Sequence, residues 1–481
     1  MLLRSTVIYA PAILFTRLSA LLLIVIATRL LDQTEYGLLT LVVTIGEMTD
    51  VAVTNWLRIS LLRLGGKGRI SRGSLVVAGR VLVLTTVLGV AVSITAARFV
   101  APDRWAEFAT AVATYLVVGA IGRLALTVLQ MQQRHSAYSL LEFLRSVLQL
   151  GLPVLALLVF PATFTVVSLG SSAGTLLAGL AAAAVALRNV VPGPSRFTYR
   201  EFIAFGTPLV IMAVVSFGVN NGERLFLNAY YDAGAVAIFA VAYALARQPI
   251  DMVSNAVQMG AFPEMVSRFD TIGPDAAASY LSEMLALILR LCLPVAALLV
   301  ALSSDIAALV LPADYHRQVA VLFPIIAASV LFSNIGSFAF ANVIHAHKRP
   351  WLLVYIDGAA SIVTIGLSIL LIPQLVEIGA ALALAGGTLT SLTITVFISR
   401  RLTPIPIPWQ SAGQSLAIAA ASGLAAYFAS ASIGEAWPIV HLMAGGTAGG
   451  AVFLALNAAL NPKATRNFAL KLRLRLARFS T

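Results

Sequence analysis

The chain alternates long apolar stretches with short polar breaks along its whole length. About 20 apolar residues in helical conformation cross a bilayer core of about 30 Å. By that measure the pattern predicts fourteen transmembrane helices, at 8–31, 37–60, 75–98, 108–131, 137–159, 164–187, 202–229, 235–262, 280–301, 318–342, 351–372, 377–399, 411–430 and 438–460. The breaks carry turn-forming residues, such as Pro161-Ala162-Thr163 and Pro373-Gln374. The predicted fold class is therefore an all-α integral membrane protein.

Composition narrows the functional classes. Of the 481 residues, 59% are hydrophobic and only 11% are charged, whereas a soluble protein carries about 25% charged residues. We find neither a nucleotide-binding Gly-Lys-Ser/Thr loop nor a histidine–acid metal cluster in the sequence. An integral glycosyltransferase or ligase would need large outer loops, and the longest predicted one runs only from Ser303 to Arg317. We therefore expect no enzyme activity, metal or cofactor.

The distribution of basic residues predicts the orientation. With the N-terminus inside, 20 of the 32 Lys and Arg fall in cytoplasmic loops and tails, and the outer loops hold only Arg98, Arg104 and Arg317. The positive-inside rule then places both termini in the cytoplasm. The net charge of +12 is explained by this topogenic excess facing anionic lipid, so we expect no nucleic-acid partner.

The loop from Arg188 to Arg200 contains Pro192-Gly193-Pro194 and is the longest polar break in the first half. The segment after it resembles the start of the chain at an offset of about 200 residues, as in transporters built from two repeats. We predict two six-helix bundles around a central cleft, two further helices and a basic amphipathic cytoplasmic tail, at 1–200, 201–402, 403–460 and 461–481.

Nine arginines interrupt the predicted helices: Arg17, Arg29, Arg58, Arg80, Arg123, Arg145, Arg224, Arg247 and Arg290. An arginine at mid-bilayer costs about 2.5–3.5 kcal/mol on insertion scales, so such residues usually face a cavity or a partner. A membrane protein that carries so many is expected to handle an anionic substrate.

Several motifs resemble those of polysaccharide transporters. In the run Ala27-Thr28-Arg29-Leu30-Leu31-Asp32-Gln33-Thr34-Glu35-Tyr36-Gly37-Leu38, an arginine–leucine pair ends the first helix and Glu-Tyr-Gly starts the second. The second half has Phe205-Gly206-Thr207-Pro208, then Asn221-Gly222-Glu223-Arg224 and Val241-Ala242-Tyr243. An aspartate is commoner than Glu223 in that acidic–arginine pair. The chain is similar to the Wzx-type lipid-linked oligosaccharide flippases of the multidrug/oligosaccharidyl-lipid/polysaccharide (MOP) superfamily.

The resemblance implies a function. Members of that branch move undecaprenyl-pyrophosphate-linked oligosaccharides from the inner to the outer leaflet of the bacterial inner membrane, for a surface polysaccharide such as an exopolysaccharide, O-antigen or capsule. Candidate partners are the lipid-linked glycan, membrane lipids and polysaccharide polymerase or export proteins. Two alternatives within the superfamily are a flippase for lipid II, the peptidoglycan precursor, and a multidrug/cation antiporter. The antiporter agrees least with nine intramembrane arginines.

Arginines in a water-filled cleft neutralise a pyrophosphate by charge-assisted, often bidentate hydrogen bonds. Related lipid II flippases have cavity arginines on helices one, two and eight, where this chain has comparable arginines at 17, 58 and 247. We predict five ligands for the pyrophosphate and glycan: Arg17, Arg247, Arg290, Arg58 and Arg123. They come from both predicted bundles, as a cleft between the bundles would require.

The other arginines have a structural interpretation. Three lie near span ends and are expected to reach the membrane interface: Arg29, Arg80 and Arg224. Arg145 is one turn from Glu142, and the two are expected to form a structural pair. Arg247 is one turn from Asp251, so both a pair and a place in the cleft remain open for it.

Acidic residues inside the spans are candidates for ion coupling. Glu47 and Asp50 share one face of the second predicted helix, where they could carry a coupling proton or sodium ion or pair with Arg17. Asp251 and Asp357 are further candidates, and Asp357 has no charged neighbour on its own helix. The only small cofactor we expect is this coupling H⁺ or Na⁺.

Overall fold

The computed structural model describes residues 2–65 and 70–460, with the backbone alone for 2–14, 212, 219 and 220. Its helices are α1 (Leu2–Leu30), α2 (Gln33–Asp50), α3 (Trp56–Leu64), α4 (Arg72–Val100), α5 (Trp105–Met131), α6 (His135–Leu157), α7 (Phe164–Leu187), α8 (Tyr199–Tyr230), α9 (Ala233–Thr271), α10 (Pro274–Ala301), α11 (Ser303–Val310), α12 (Ala313–Ile335), α13 (Ala341–Ala346), α14 (Trp351–Leu402), α15 (Trp409–Ala431) and α16 (Pro438–Leu460). π-Helical turns join α2 to α3 at Val51–Asn55 and α12 to α13 at Gly336–Phe340. The predicted basic tail, 461–481, lies outside the described residues.

The protein is an all-helical, multi-pass membrane protein, as predicted. Twelve helical stretches within residues 2–65 and 70–460 are long and apolar enough to cross a membrane. One of them, Trp351–Leu402, contains two predicted spans, and Val376 inside it has non-helical dihedrals, φ 51° and ψ −122°. The first predicted span lies in α1, which is outside the twelve. The count of fourteen spans therefore stays a prediction.

Contacts divide the chain into two compact units. The first contains the described residues up to Ala244 together with Trp351–Gly387, and the second contains Leu245–Pro350 together with the described residues from Thr388 onward. These boundaries differ from those of the predicted six-helix bundles, which stay a prediction.

The polar loop after α7 is packed onto the first unit. The Val191 N–H donates to the Ile70 carbonyl at 3.0 Å, and the Gly73 N–H donates to the Gly193 carbonyl at 3.0 Å. Gly193 has φ +153°, a conformation that favours glycine because it has no Cβ. The loop thus holds the start of α8 beside the start of α4.

In the first unit α8 packs on α3 through aromatic side chains. The Trp56 and Phe202 rings lie 5.7 Å apart, and both residues are buried. A Cβ on Gly206 would collide with the Trp56 indole ring. The glycine of the Phe-Gly-x-Pro motif is therefore what allows α8 to approach α3.

The second unit has a ladder of polar side chains that joins α9 to α12 and α13. The Asn334 amide donates to Asp251 Oδ1 at 3.1 Å and to Ser254 Oγ at 3.0 Å. Further along, Gln258 and Asn342 exchange amide hydrogen bonds of 3.0 and 3.1 Å. These bonds satisfy buried polar groups that hydrocarbon would leave unpaired.

Candidate functional site

A cavity of about 390 Å³ lies inside the first unit, among α1, α2, α3, α5, α6 and α7. Five charged side chains line it: Arg58, Arg123, Arg145, Glu47 and Glu142. Neutral polar residues complete much of the wall, including Tyr115, Tyr138, Gln130 and Gln149. The volume is within the range of about 300–1,000 Å³ typical of small-molecule sites.

Arg123 connects this cavity to a buried acid. Its guanidinium forms an ion pair with Asp50, whose side chain is 2% exposed, whereas that of Arg123 is 38% exposed. The other carboxylate oxygen, Oδ1, is buried without a hydrogen-bond partner among the described residues. Asp50 also directly precedes the π-helical turn Val51–Asn55, and such turns are frequent at functional sites.

The structure therefore corrects the pairing that we considered for Asp50. Its partner is Arg123 of α5 rather than Arg17 of α1, because α5 packs along α2 at this level. A pair between residues 73 positions apart leaves no periodic signal in the sequence.

Arg145 forms the expected pair with Glu142, with Nη2–Oε1 and Nε–Oε2 distances of 2.5 and 3.2 Å. Its Nη1 also donates to Gln149 Oε1 at 2.8 Å. Arg145 thus has the predicted structural contact and also lines the cavity, a role that the sequence interpretation did not give it.

Arg58 completes the cluster of arginines on the cavity wall. It forms no ion pair or hydrogen bond with any residue of the described chain, and its side chain is exposed. Glu47 lines the same cavity. An arginine without a protein partner keeps its five donors available for a ligand.

The remaining predicted ligands are distributed differently. Arg17 is half-buried on α1, outside the cavity wall. Arg247 lies in the second unit, where its Nε donates to Asp251 Oδ2 at 2.8 Å. Arg290, on α10 of the same unit, is half-buried and makes no hydrogen bond or ion pair within the described ranges.

Asp357 lies on α14 in the first unit, and its carboxylate accepts a hydrogen bond from the Ser216 hydroxyl of α8. A cross-helix hydroxyl therefore supplies the partner that its own helix lacks.

The interpretation of Arg224 as an interface anchor is wrong. Its Nη1 donates to Thr44 Oγ1 at 3.1 Å, and its Cζ lies 5.3 Å from the centre of the Tyr243 ring. Its Nε is buried, so the side chain points into the first unit. By contrast, Arg29 and Arg80 are exposed.

Four further residues line the cavity that were not predicted from the sequence: Arg145, Tyr115, Tyr138 and Gln149. A signal was available for two of them, since Arg145 and Gln149 are four residues apart on one face of α6, together with Glu142. Nothing in the sequence separated the two tyrosines from ordinary core aromatics.

Comparison with solved structures shows the MOP transporter fold. The chain is similar to the lipid II flippase MurJ in an inward closed conformation, with a TM-score of 0.74, 13% identity, and coverage of 95% of this chain and 100% of that one. For the eukaryotic MATE transporter AtDTX14 the values are 0.57, 14%, 87% and 99%. For a MOP superfamily transporter from Pyrococcus furiosus they are 0.54, 13%, 83% and 95%.

A comparison with curated proteins finds no match. A family model described as "Polysaccharide biosynthesis protein" matches residues 26–320, which is more than half of the chain. This match shows that the chain, whose fold is that of MOP transporters, belongs to the polysaccharide biosynthesis protein family.

Proposed function

We propose that the protein is a flippase that moves an undecaprenyl-pyrophosphate-linked oligosaccharide across the inner membrane for a surface polysaccharide. The observation that supports this most is the cluster of three arginines, Arg58, Arg123 and Arg145, on one cavity wall of a membrane protein in a polysaccharide biosynthesis family. A pyrophosphate needs cationic donors in place of the water it leaves, and guanidinium groups supply them in bidentate form.

Two of the three arginines form ion pairs with carboxylates, and the pyrophosphate of the substrate can displace these carboxylates. Asp50 and Glu142 form ion pairs with Arg123 and Arg145 and so compensate their charges. An arriving pyrophosphate competes for these guanidinium groups, while Arg58 has no hydrogen bond or ion pair within residues 2–65 and 70–460 that it would have to lose. The resting pairs lower the cost of keeping cations in the membrane.

Because the pyrophosphate competes with Asp50 for Arg123, Asp50 can couple substrate binding to proton binding. If the pyrophosphate draws Arg123 away, Asp50 remains as a buried carboxylate without its counter-ion, a state that is unfavourable in a low-dielectric site. Uptake of a proton relieves it, so substrate binding and proton binding at Asp50 favour each other. Glu47, on the same cavity, is the second candidate for H⁺ or Na⁺ coupling.

The other predicted residues enter the proposal in two groups. Arg17, Arg247 and Arg290 are assigned to the substrate at other stages of alternating access. Asp251 and Asp357 are assigned to ion coupling, and both already accept side-chain hydrogen bonds. The positive-inside pattern supports cytoplasmic termini, so the cargo would enter from the cytoplasmic side. The proposal assigns no enzymatic step to the chain.

Deleting the gene tests the proposed function. We expect undecaprenyl-pyrophosphate-linked oligosaccharides to accumulate, as measured by mass spectrometry of extracted lipids, together with loss of the surface polysaccharide. Re-expression of the wild-type chain should reverse both changes, and Arg58→Ala should not. Normal lipid-linked oligosaccharide levels with unchanged surface polysaccharide would contradict the proposal.

Lipid II is the alternative cargo, favoured by the fold similarity to a lipid II flippase. The same deletion distinguishes the two, because loss of a lipid II flippase would accumulate lipid II and weaken the cell wall. A cation antiporter would instead show as increased sensitivity of the deletion strain to organic cations, with unchanged lipid-linked glycans.

A further inference from the structure

One face of α7 carries a row of hydroxyl groups. Ser168, Ser171, Ser172 and Thr175 follow the spacing i, i+3, i+4, i+7, which places them on the same side of a helix. All four line the cavity that contains the arginines. The cavity wall therefore includes a neutral hydroxyl surface as well as a cationic one.

Two of these hydroxyls have no partner among the residues that the structure describes. Ser171 donates to the Gln149 carbonyl at 3.4 Å and Thr175 to the Ser171 carbonyl at 2.9 Å. Ser168 and Ser172 are each only 5% exposed and make no hydrogen bond within the described residues. Buried polar groups are nearly always paired, so these two are positioned to bond with something that occupies the cavity.

The polar surface continues between α1 and α6. A second cavity of about 160 Å³ there shares Leu23, Arg145 and Gln149 with the first. It is also lined by Ser19, whose Oγ is buried without a partner in the described part of the chain. Gln149 thus lies between two adjoining cavities, each lined by at least one hydroxyl that has no partner in the described chain.

Close packing of α7 on α6 does not account for the hydroxyl row. Small residues often let membrane helices approach each other, but α7 uses other positions for its approach to α6. A Cβ on Gly170 would lie 2.8 Å from Pro153 Cα, and one on Gly174 would lie 2.6 Å from the Leu148 carbonyl carbon. The serines face the empty volume instead.

Contacts of one carboxylate bring the starts of three helices together at one end of the first unit, so this end can serve as a reference for depth along the helices. Glu35, at the start of α2, accepts a hydrogen bond from the Phe164 N–H at the start of α7 at 2.6 Å. The same carboxylate pairs with Arg104, in the turn directly before α5. The starts of α2, α5 and α7 therefore lie together.

The hydroxyls and the arginines that line the cavity lie at different distances from this end of the helices. The hydroxyl row lies 4 to 11 residues after the start of α7, which is about 6–17 Å at 1.5 Å per residue. Arg123 lies 18 residues after the start of α5, or about 27 Å. Arg58, further along the α2–α3 segment, lies still deeper from that end. The cavity is thus polarised, with hydroxyls toward the Glu35 end and the guanidinium groups of Arg123 and Arg58 toward the other.

We propose that the α7 hydroxyl row, with Gln149 and Ser19, is a carbohydrate subsite that binds the sugar next to the pyrophosphate. Hydroxyl and amide groups both donate and accept hydrogen bonds, as sugar hydroxyls do. The arginine end binds the phosphates, so the polarised cavity matches the order sugar, pyrophosphate, lipid. This inference rests on the proposed flippase function and adds a site that recognises the sugar.

The test compares ligands that differ only in the sugar. Binding of the full-length protein in nanodiscs is measured for undecaprenyl pyrophosphate and for its conjugates with a single galactose, glucose or N-acetylglucosamine. We expect at least one conjugate to bind about tenfold more tightly than undecaprenyl pyrophosphate, the effect of one or two net hydrogen bonds. The double variant Ser168→Ala/Ser172→Ala should lose this preference and keep its affinity for undecaprenyl pyrophosphate.

The control is Ser422→Ala, on α15 in the second unit, which removes another buried hydroxyl that has no partner in the described ranges. It should leave the sugar preference intact. Equal affinity of the wild type for all four lipids, or a preference that survives the double variant, would overturn the carbohydrate subsite while leaving the flippase proposal in place. Failure of all four lipids to bind would instead overturn the proposed function, and the subsite with it.

Discussion

Arg123 and Asp50 form an ion pair that joins the cavity surface to the interior of the first unit. The carboxylate is 2% exposed and the guanidinium 38% exposed. The Arg123 side chain is thus accessible to a ligand, whereas that of Asp50 is buried behind the surface of the cavity. This asymmetry makes the pair suited to convert substrate binding into a change of charge at a buried site.

The pair predicts an unequal effect of single and double variants on stability. Arg123→Ala leaves Asp50 buried and unpaired, which should cost about 3 kcal/mol, near the low end for buried pairs because Arg123 is partly exposed. The double variant Arg123→Leu/Asp50→Leu should recover most of that loss, because no charge remains. Thermal unfolding of the purified variants measures both. A double variant less stable than Arg123→Ala would contradict the assignment.

Arg58 predicts a loss of function without a loss of stability. Since it makes no hydrogen bond or ion pair in the described chain, Arg58→Ala removes nothing that supports the fold. Export of the lipid-linked oligosaccharide should fall at least tenfold, the effect of losing about 1.4 kcal/mol of charged contact. Arg63→Ala is the matched control, because Arg63 is exposed on the same helix and outside the cavity. Full export by Arg58→Ala at normal protein level would remove Arg58 from the site.

Two glycines of α8 should respond oppositely to alanine. A Cβ at Gly206 collides with Trp56, whereas one at Gly222 meets nothing within 4 Å. Gly206→Ala should destabilise the protein by about 1–3 kcal/mol through overpacking. Gly222→Ala should be neutral or stabilising by up to about 1 kcal/mol, because alanine favours helix. Thermal unfolding in the same detergent compares them, and an equal response would mean that the α3–α8 contact is not as close as described.

Asn334 predicts a stability effect that acts through Asp251. The Asn334 amide donates to both Asp251 and Ser254, so Asn334→Leu leaves buried acceptors unsatisfied, at about 1–3 kcal/mol. Asn457→Leu, a half-buried residue of α16 in the same unit, provides the comparison. If the unfolding temperature falls equally for both variants, the Asn334 hydrogen bonds make no specific contribution to stability.

The sequence predicted the helices well and the cross-helix contacts poorly, for a physical reason. Hydrocarbon requires about 20 apolar residues per span, so the spans are visible as runs. The predicted Arg145–Glu142 pair follows from one-turn spacing and is confirmed, and of the two alternatives left open for Arg247 the structure contains the pair with Asp251. The Asp50–Arg123 pair depends on which helices are neighbours, and no local pattern encodes that.

Arg224 likewise shows that cross-helix contacts cannot be predicted from a local sequence pattern. Its position near a span end favoured the membrane interface, but Thr44 and Tyr243 bind it within the first unit. Likewise, the hydroxyls of α7 appeared only as weakly polar residues in an apolar run. Their importance emerged once they were seen to share a cavity with the arginines.

The most direct test of the account is translocation by the purified protein in proteoliposomes. An undecaprenyl-pyrophosphate-linked oligosaccharide is placed in both leaflets, and a membrane-impermeant glycosidase reports how much of it becomes accessible with time. We predict that the wild-type chain makes nearly all of the lipid accessible, that Arg63→Ala does the same, and that Arg58→Ala leaves about half protected, as in protein-free vesicles. Half protection with the wild-type chain, or full accessibility with Arg58→Ala, would contradict the account.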